Sequence, residues 1–157
     1  MRNKTVAVWL TLLTGPLGLH RVYLHRRFDG ISCLLLLPTL VGAYGMLRAR
    51  EAGVDDHLSW LLIPWVGLSV AASSLTAIVY GLMETEKWNA SFNPALPLEG
   101  AAGESGWLTI GGMVCALLLG ATMLLSSIAF GFQRYFEYQA EVAPGKAQAL
   151  DLKKSAG

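Results

Sequence analysis

Long apolar runs separated by short polar ones dominate this chain. Residues free of Asp, Glu, Lys and Arg extend from Gly30 to Leu47, from Leu58 to Met83 and from Ser105 to Gln133, runs of 18, 26 and 29 residues. About 20 residues of helix cross roughly 30 Å of hydrocarbon, so each run predicts a transmembrane helix. A further run, Thr5 to Leu19, has 15 residues. It reaches only about 22 Å at about 1.5 Å per residue, and crosses only if His20 to Leu24 continue the helix with polar ends snorkelling. The pattern predicts helices at about 5 to 24, 28 to 47, 58 to 83 and 107 to 132, an all-α integral membrane helical bundle of four spans built as two helical hairpins.

On this reading residues 1–50 form one hairpin and residues 51–132 a second, with a long loop over 84–106. That loop, ETEKWNASFNPALPLEGAAGES, is rich in Pro, Gly and Ala and has neither helical nor strand periodicity. The tail, 133–157, is expected to be polar and partly disordered. Trp60, Trp88, Trp107, Tyr135 and Tyr138 fall at the predicted span ends, where amphipathic rings favour the headgroup layer. Asn89-Ala90-Ser91 matches a glycosylation acceptor, a pattern too common to weigh.

Composition sharpens this picture. Charged residues make up 15% and hydrophobic ones 54%, whereas a soluble domain is about one quarter charged, so lipid is the expected solvent. MRNK followed by an apolar core also resembles a signal peptide, but no small-x-small cleavage site follows, so the segment is expected to be retained. A net charge of +1 without a basic run longer than two residues argues against nucleic acid as a partner. Cys33 and Cys115 fall within predicted spans and read as small packing residues.

The distribution of Lys and Arg bears on orientation. Four spans put Arg2, Lys4, Arg48, Arg50, Arg134, Lys146, Lys153 and Lys154 on one side and Arg21, Arg26, Arg27 and Lys87 on the other, eight against four. The positive-inside rule then favours cytoplasmic termini, in a bacterial inner membrane. If the short first segment re-enters instead of crossing, the count becomes six against six.

The densest polar stretch is GPLGLHRVYLHRRFDG, residues 15–30. Gly15 and Gly18 remove side chains one turn apart and Gly30 opens the next apolar run, so two helices can approach closely, while Pro16 loosens the backbone before the chain reverses. His20, Arg21, Tyr23, Arg26 and Arg27 then fall at headgroup depth, where guanidinium groups suit phosphates. Two readings stand side by side: a solvated turn that only positions two helices, or a site contacting anionic headgroups or a partner.

GPLGLHRVYL with Gly30 resembles the TM-2 domain family, a membrane hairpin whose signature runs roughly Gly-x-x-Gly-x-His-Arg-Phe-Tyr-Leu-Gly, with a further Gly opening its second helix. Gly15, Gly18, His20, Arg21, Tyr23, Leu24 and Gly30 match, whereas Val22 and His25 stand where the family has Phe and Gly. The aspartate common near the end of the family's second helix has no counterpart here. The resemblance covers residues 4 to 47. It implies a two-helix hairpin and membrane residence, with no defined activity.

Candidate chemistry is sparse. With four spans, His20 and His25 lie on one face and Asp55, Asp56 and His57 on the other, so they cannot share a metal ion; Asp55 and Asp56 read as helix capping. No nucleophile sits beside a base, and apart from Cys115 the last two spans hold no ionisable group of the kind ion-coupled transporters use. No cofactor and no enzymatic activity are expected. Small residues recur at helical spacing, Ser73, Ala77 and Gly81 in the third span and Gly112, Ala116 and Gly120 in the fourth, forming seams for close packing. Together these features predict an interaction or scaffold protein, oligomeric or joined to a membrane-protein partner. A small channel, transporter or lipid-handling protein is the alternative, with a lipid-directed enzyme third.

Overall fold

The computed structural model describes residues 1–26, 30–53, 56–95 and 97–155, with the side chains of these residues except those of 31 and 143–155. Arg27 and Asp55, both singled out above, lie outside the described residues. The fold is all-α, with no strand among the described residues. Its helices are α1 (Lys4–Thr14), α2 (Leu19–His25), α3 (Gly30–Ala52), α4 (His57–Leu62), α5 (Pro64–Leu82), α6 (Thr85–Phe92) and α7 (Trp107–Ser155). Three segments, Ser32–Ala52, His57–Leu82 and Ala101–Val142, are long and apolar enough to cross a membrane.

The first apolar run is not one helix from 5 to 24. Asn3 starts α1 by accepting hydrogen bonds from the Thr5 and Val6 amides at 2.9 and 3.4 Å. After its 11 residues, at Gly15-Pro16-Leu17, α1 gives way to a single 3-10 turn, which Gly18 closes in the left-handed region at φ +73°. There its N–H donates to Gly15 O at 2.8 Å and the chain reverses into α2. Gly15 lies against Ser73, nine residues before the end of α5 and so about 14 Å from that end. α2 then climbs back until Leu24 packs with Ala7 and Trp88. The expected first span is therefore a helical hairpin that goes about halfway along α5 and returns, because an α1 of about 16 Å is too short to cross.

This hairpin sits in the fork between α5 and α7. Val8 and Leu12 of α1 are buried with Ala77 of α5 and Ala116 of α7, and Trp9, Ile78 and Tyr80 pack around them. Along the α5–α7 contact Gly81 faces Met113, Ser74 faces Gly120 and Gly67 faces Ser127, an antiparallel register in which each small residue meets a larger one. Two of the predicted seam residues point elsewhere: Gly112 meets Val8 and Trp9 of α1, and Ser73 meets Gly15 of the turn that follows it. α3 approaches through Gly42, against Val66, and Gly45, against Leu62 and Ile63. Gly30, expected to be a packing residue, has open space where a Cβ would stand. Cys33 and Cys115 are exposed on the helix surfaces rather than packed inside.

Two further expectations change. The loop over 84–106 contains α6 and a 3-10 turn at Ala101–Gly103, held by the buried Trp88 and Asn89. α6 has only eight residues, too short a window for periodicity to show. The residues after Gln133 continue α7 to Ser155 instead of forming a tail. Ala, Gln, Glu and Lys are good helix formers, and Gln133–Glu137, Arg134–Glu137 and Tyr135–Gln139 bonds tie successive turns. At 49 residues α7 is about 73 Å long. Lys4 sits by Met83 at one end of α5, and Tyr138 sits by His57 at the other end of the α4–α5 rod.

Candidate functional site: the N-terminal clasp and the hairpin

At the Met83 end the first residues are stapled to the rest of the chain. The Arg2 amide donates to Asn93 Oδ1 and its Nη1 to Phe92 O, both at 2.6 Å. Trp88 Nε1 and Asn93 Nδ2 donate in turn to Arg2 O at 3.0 and 2.9 Å. Asn93 caps the end of α6 four residues after Asn89, and its Nδ2 also reaches Asn89 Oδ1 at 3.3 Å. The buried Lys4 ammonium donates to Met83 O at 2.6 Å and to Ser105 Oγ at 2.9 Å. Ser105 donates to Gly81 O. Both lysine acceptors are neutral, and burial lowers the Lys4 pKa from its usual value. The charge is tolerated because it lies at the carbonyl end of α5, the negative pole of that helix. Thr5 and Thr109 hydroxyls pair at 2.8 Å, and Trp9 Nε1 donates to Leu108 O, so the start of α7 is held by α1 as well.

The turn residues named from sequence divide between inside and outside. His20 is 2% exposed, its ring 6.3 Å from that of Tyr80, and its Nδ1 is a buried nitrogen without a hydrogen-bond partner. Tyr23 is half-buried and its hydroxyl accepts from the Asn3 amide at 3.0 Å, tying α2 to the clasp. Arg21 is half-buried. Arg26 is exposed, with φ 55°, and ends α2 by donating its N–H to Val22 O at 2.9 Å. His20 and Leu24 are four apart on α2, which directs both inward. Of the proposed headgroup contacts, then, His20 and Tyr23 serve the interior and Arg26 stands in the open.

The acceptor sequence at Asn89 is occluded. Its amide nitrogen donates to Leu98 O and Gly100 O, both at 2.8 Å, and the residue is fully buried. Trp88, expected at a headgroup layer, is likewise buried beneath Arg2 and packed against Phe92, whereas Trp107 is exposed. At the opposite end Arg48 grips Asp56 with two bonds of 2.6 and 3.1 Å. Asp56 also caps α4 by accepting from the Ser59 amide and hydroxyl. The Arg48 guanidinium and the Ser59 donors hold the Asp56 carboxyl well below the usual carboxylate range.

Sequence reasoning overlooked the clasp. Its one advance signal is Asn3 before an apolar run, an N-cap pattern, joined to the Asn89/Asn93 spacing on a segment read as loop. Chemically the clasp is a lock, because the Arg2 amide, Nη1 and carbonyl, the Lys4 ammonium and the Asn93 amide are all engaged within it, while the buried Arg2 Nε is left without a partner. Compared with protein-family models, curated proteins and solved structures, the chain shows no match.

Proposed function

We propose that this is a membrane-embedded interaction or scaffold protein that crosses the bilayer three times, with α1 and α2 as a re-entrant hairpin. The observation that carries this reading is the contrast between a closed interior and an open exterior. Val8, Leu12, Ala77 and Ala116 fill the middle of the bundle. Hydroxyls such as those of Thr11, Ser69 and Ser73 bond to carbonyls of their own helices. Outward, the lipid-facing sides of α3, α5 and α7 carry exposed leucines, and α7 extends past its last ring contact with α4, at Tyr138, for another 17 residues to Ser155. A long helix projecting from a closed bundle suits docking to a second membrane component or copy. The test is a mild-detergent pull-down from native membranes. Removing residues 139–157 should leave the protein inserted and abolish its complex; an unchanged complex would sink the docking role.

The TM-2 resemblance over residues 4–47 enters this reading as a proposal, with its hairpin re-entrant instead of crossing twice. Arg2, Lys4, Arg21, Arg26, Arg27 and Lys87 then fall on one face and Arg48, Arg50, Arg134, Lys146, Lys153 and Lys154 on the other, six against six. Charge no longer selects a side, and the termini lie in opposite compartments, with the inner membrane as the proposed site. Thiol labelling at Ala101→Cys and Gln139→Cys should report opposite sides; labelling from one side only would overturn three crossings. A second reading, a small channel or transporter with its path between copies, draws on the hairpin itself, since backbone broken at mid-depth in membrane proteins lines protein-enclosed cavities. Solute flux through liposomes containing the pure protein would favour it.

A further inference from the structure

We propose that a slot between the α4–α5 rod and the outer half of α7 holds one acyl chain of a phospholipid, with the lipid phosphate on Arg134 and an amine of the headgroup beside Glu137. This rests on the membrane-spanning reading above. α5 and α7 touch closely where Gly67 meets Ser127, then diverge. Pro64 begins α5 at the junction with α4, and a Cβ on Gly131 would meet nothing within 4 Å. The gap they leave consists of two adjoining hollows of about 460 and 500 Å³, which share Pro64, Leu68, Gly131 and Tyr135. That size lies within the roughly 300–1,000 Å³ of small-molecule sites. Ile128 and Phe132 complete an apolar inner wall. From Leu68 to Trp60 the slot runs about 12 Å along the rod, from mid-bundle to the Asp56 end.

The mouth is built differently from the body. The Arg134 guanidinium is fixed 5.8 Å from the ring centres of both Trp60 and Phe130. Its Nη1 donates to Glu137 at 3.0 Å, an (i, i+3) pair on α7. His57 lies between Trp60 and Tyr138, with ring centres 4.5 and 4.7 Å away. A guanidinium has five N–H donors in a planar fork, so one bond to Glu137 leaves others for a phosphate oxygen. The Glu137 side chain is 43% exposed against 24% for that of Arg134. A headgroup therefore meets a positive charge at the slot and a negative one just outside it. That order of charges complements a phosphate followed by an ammonium, and the Trp60 and Tyr138 rings offer the ammonium aromatic surface. A headgroup that ends in a neutral glycerol keeps the phosphate for Arg134 but brings no cation to Glu137.

Native mass spectrometry of the full chain, extracted from membranes in mild detergent, tests this. The wild type should retain a phosphatidylethanolamine-type lipid in preference to phosphatidylglycerol. Gly131→Phe, which fills the slot and replaces glycine by a better helix former, should lose the retained lipid at an unchanged melting temperature. Arg134→Gln, on the rim, should lose the headgroup preference even if the Phe variant misfolds. Equal lipid retention by all three proteins, preference for phosphatidylglycerol, or a second copy of the chain in place of lipid would each overturn the proposal. Recovery of the protein outside the membrane fraction would instead overturn the spanning reading beneath it.

Discussion

Replacing Gly15 with alanine tests the hairpin's depth, because the sign of the effect depends on what that residue faces. Gly15 has right-handed helical dihedrals, φ −55° and ψ −45°, which any L-residue adopts. Were it turned to lipid, as a crossing first helix would allow, Gly15→Ala would stabilise by about 0.5–1 kcal/mol through reduced backbone freedom. In the structure its Cβ would fall 2.5 Å from Ser73 Cβ and 2.8 Å from Ser73 Oγ. Overpacking of that kind costs about 1–3 kcal/mol, which outweighs the propensity gain and reverses the sign. Ser73→Gly should restore the space. Alone it loses about 0.5 kcal/mol of helix propensity, together with the hydroxyl that donates to Ser69 O at 2.8 Å. The double variant should therefore recover most of the Gly15→Ala loss, giving a coupling of about 1–2 kcal/mol in a double-mutant cycle. Reversible unfolding in mixed micelles, followed by tryptophan fluorescence, supplies the four free energies. Additive effects, or a stabilising Gly15→Ala, would refute the docking of the turn at mid-depth on α5.

Other residues give independent readouts. Lys4→Met should destabilise by about 2 kcal/mol in the same assay, since hydrogen bonds to a charged group are worth about 1.5–3 kcal/mol and Met leaves Met83 O without its donor; a neutral result would mean that the clasp does not hold the N-terminus. Asp56 has a depressed folded pKa, so its contribution is complete above the unfolded carboxyl value near 4 and is lost as pH falls through the folded one. The melting-temperature gap between wild type and Asp56→Asn should accordingly hold steady from pH 8 to 5 and shrink below about pH 4, and a gap that closes already at pH 6 would contradict the Arg48 pairing. Asn89, with both amide hydrogens bonded inside, should stay unmodified when the chain is translated into glycosylation-competent microsomes; a glycan-sized mass shift would show the α6 cap to be open.

The three long helices were legible because lipid imposes a length and an absence of charge that a sequence displays directly. The hairpin was not. Thr5 to Leu19 is as apolar as a crossing helix, and what stops it is tertiary: left-handed Gly18, with Ser32 O 2.9 Å from its missing Cβ, and Gly15 wedged on Ser73. The small residues show the same division. Their spacing announced close packing in the third and fourth runs, but spacing does not name the partner. Gly112 serves α1 and Ser73 the turn after it, and the approach of α3 depends on Gly42 and Gly45, not on Gly30 at its start. His20 could have been placed inside from its position four residues before Leu24, had the stretch not been read as a headgroup turn. The polar ends follow one rule. Where the chain leaves lipid, Lys4 turns to the carbonyl end of α5 and Asp56 to the amide end of α4, so each charge sits at the helix pole of opposite sign. A cluster of charges beside an apolar run thus marks a helix end before it marks a ligand. For Arg134 the half-buried Glu137 and the open slot beside Gly131 add the second feature that an end-cap alone does not require.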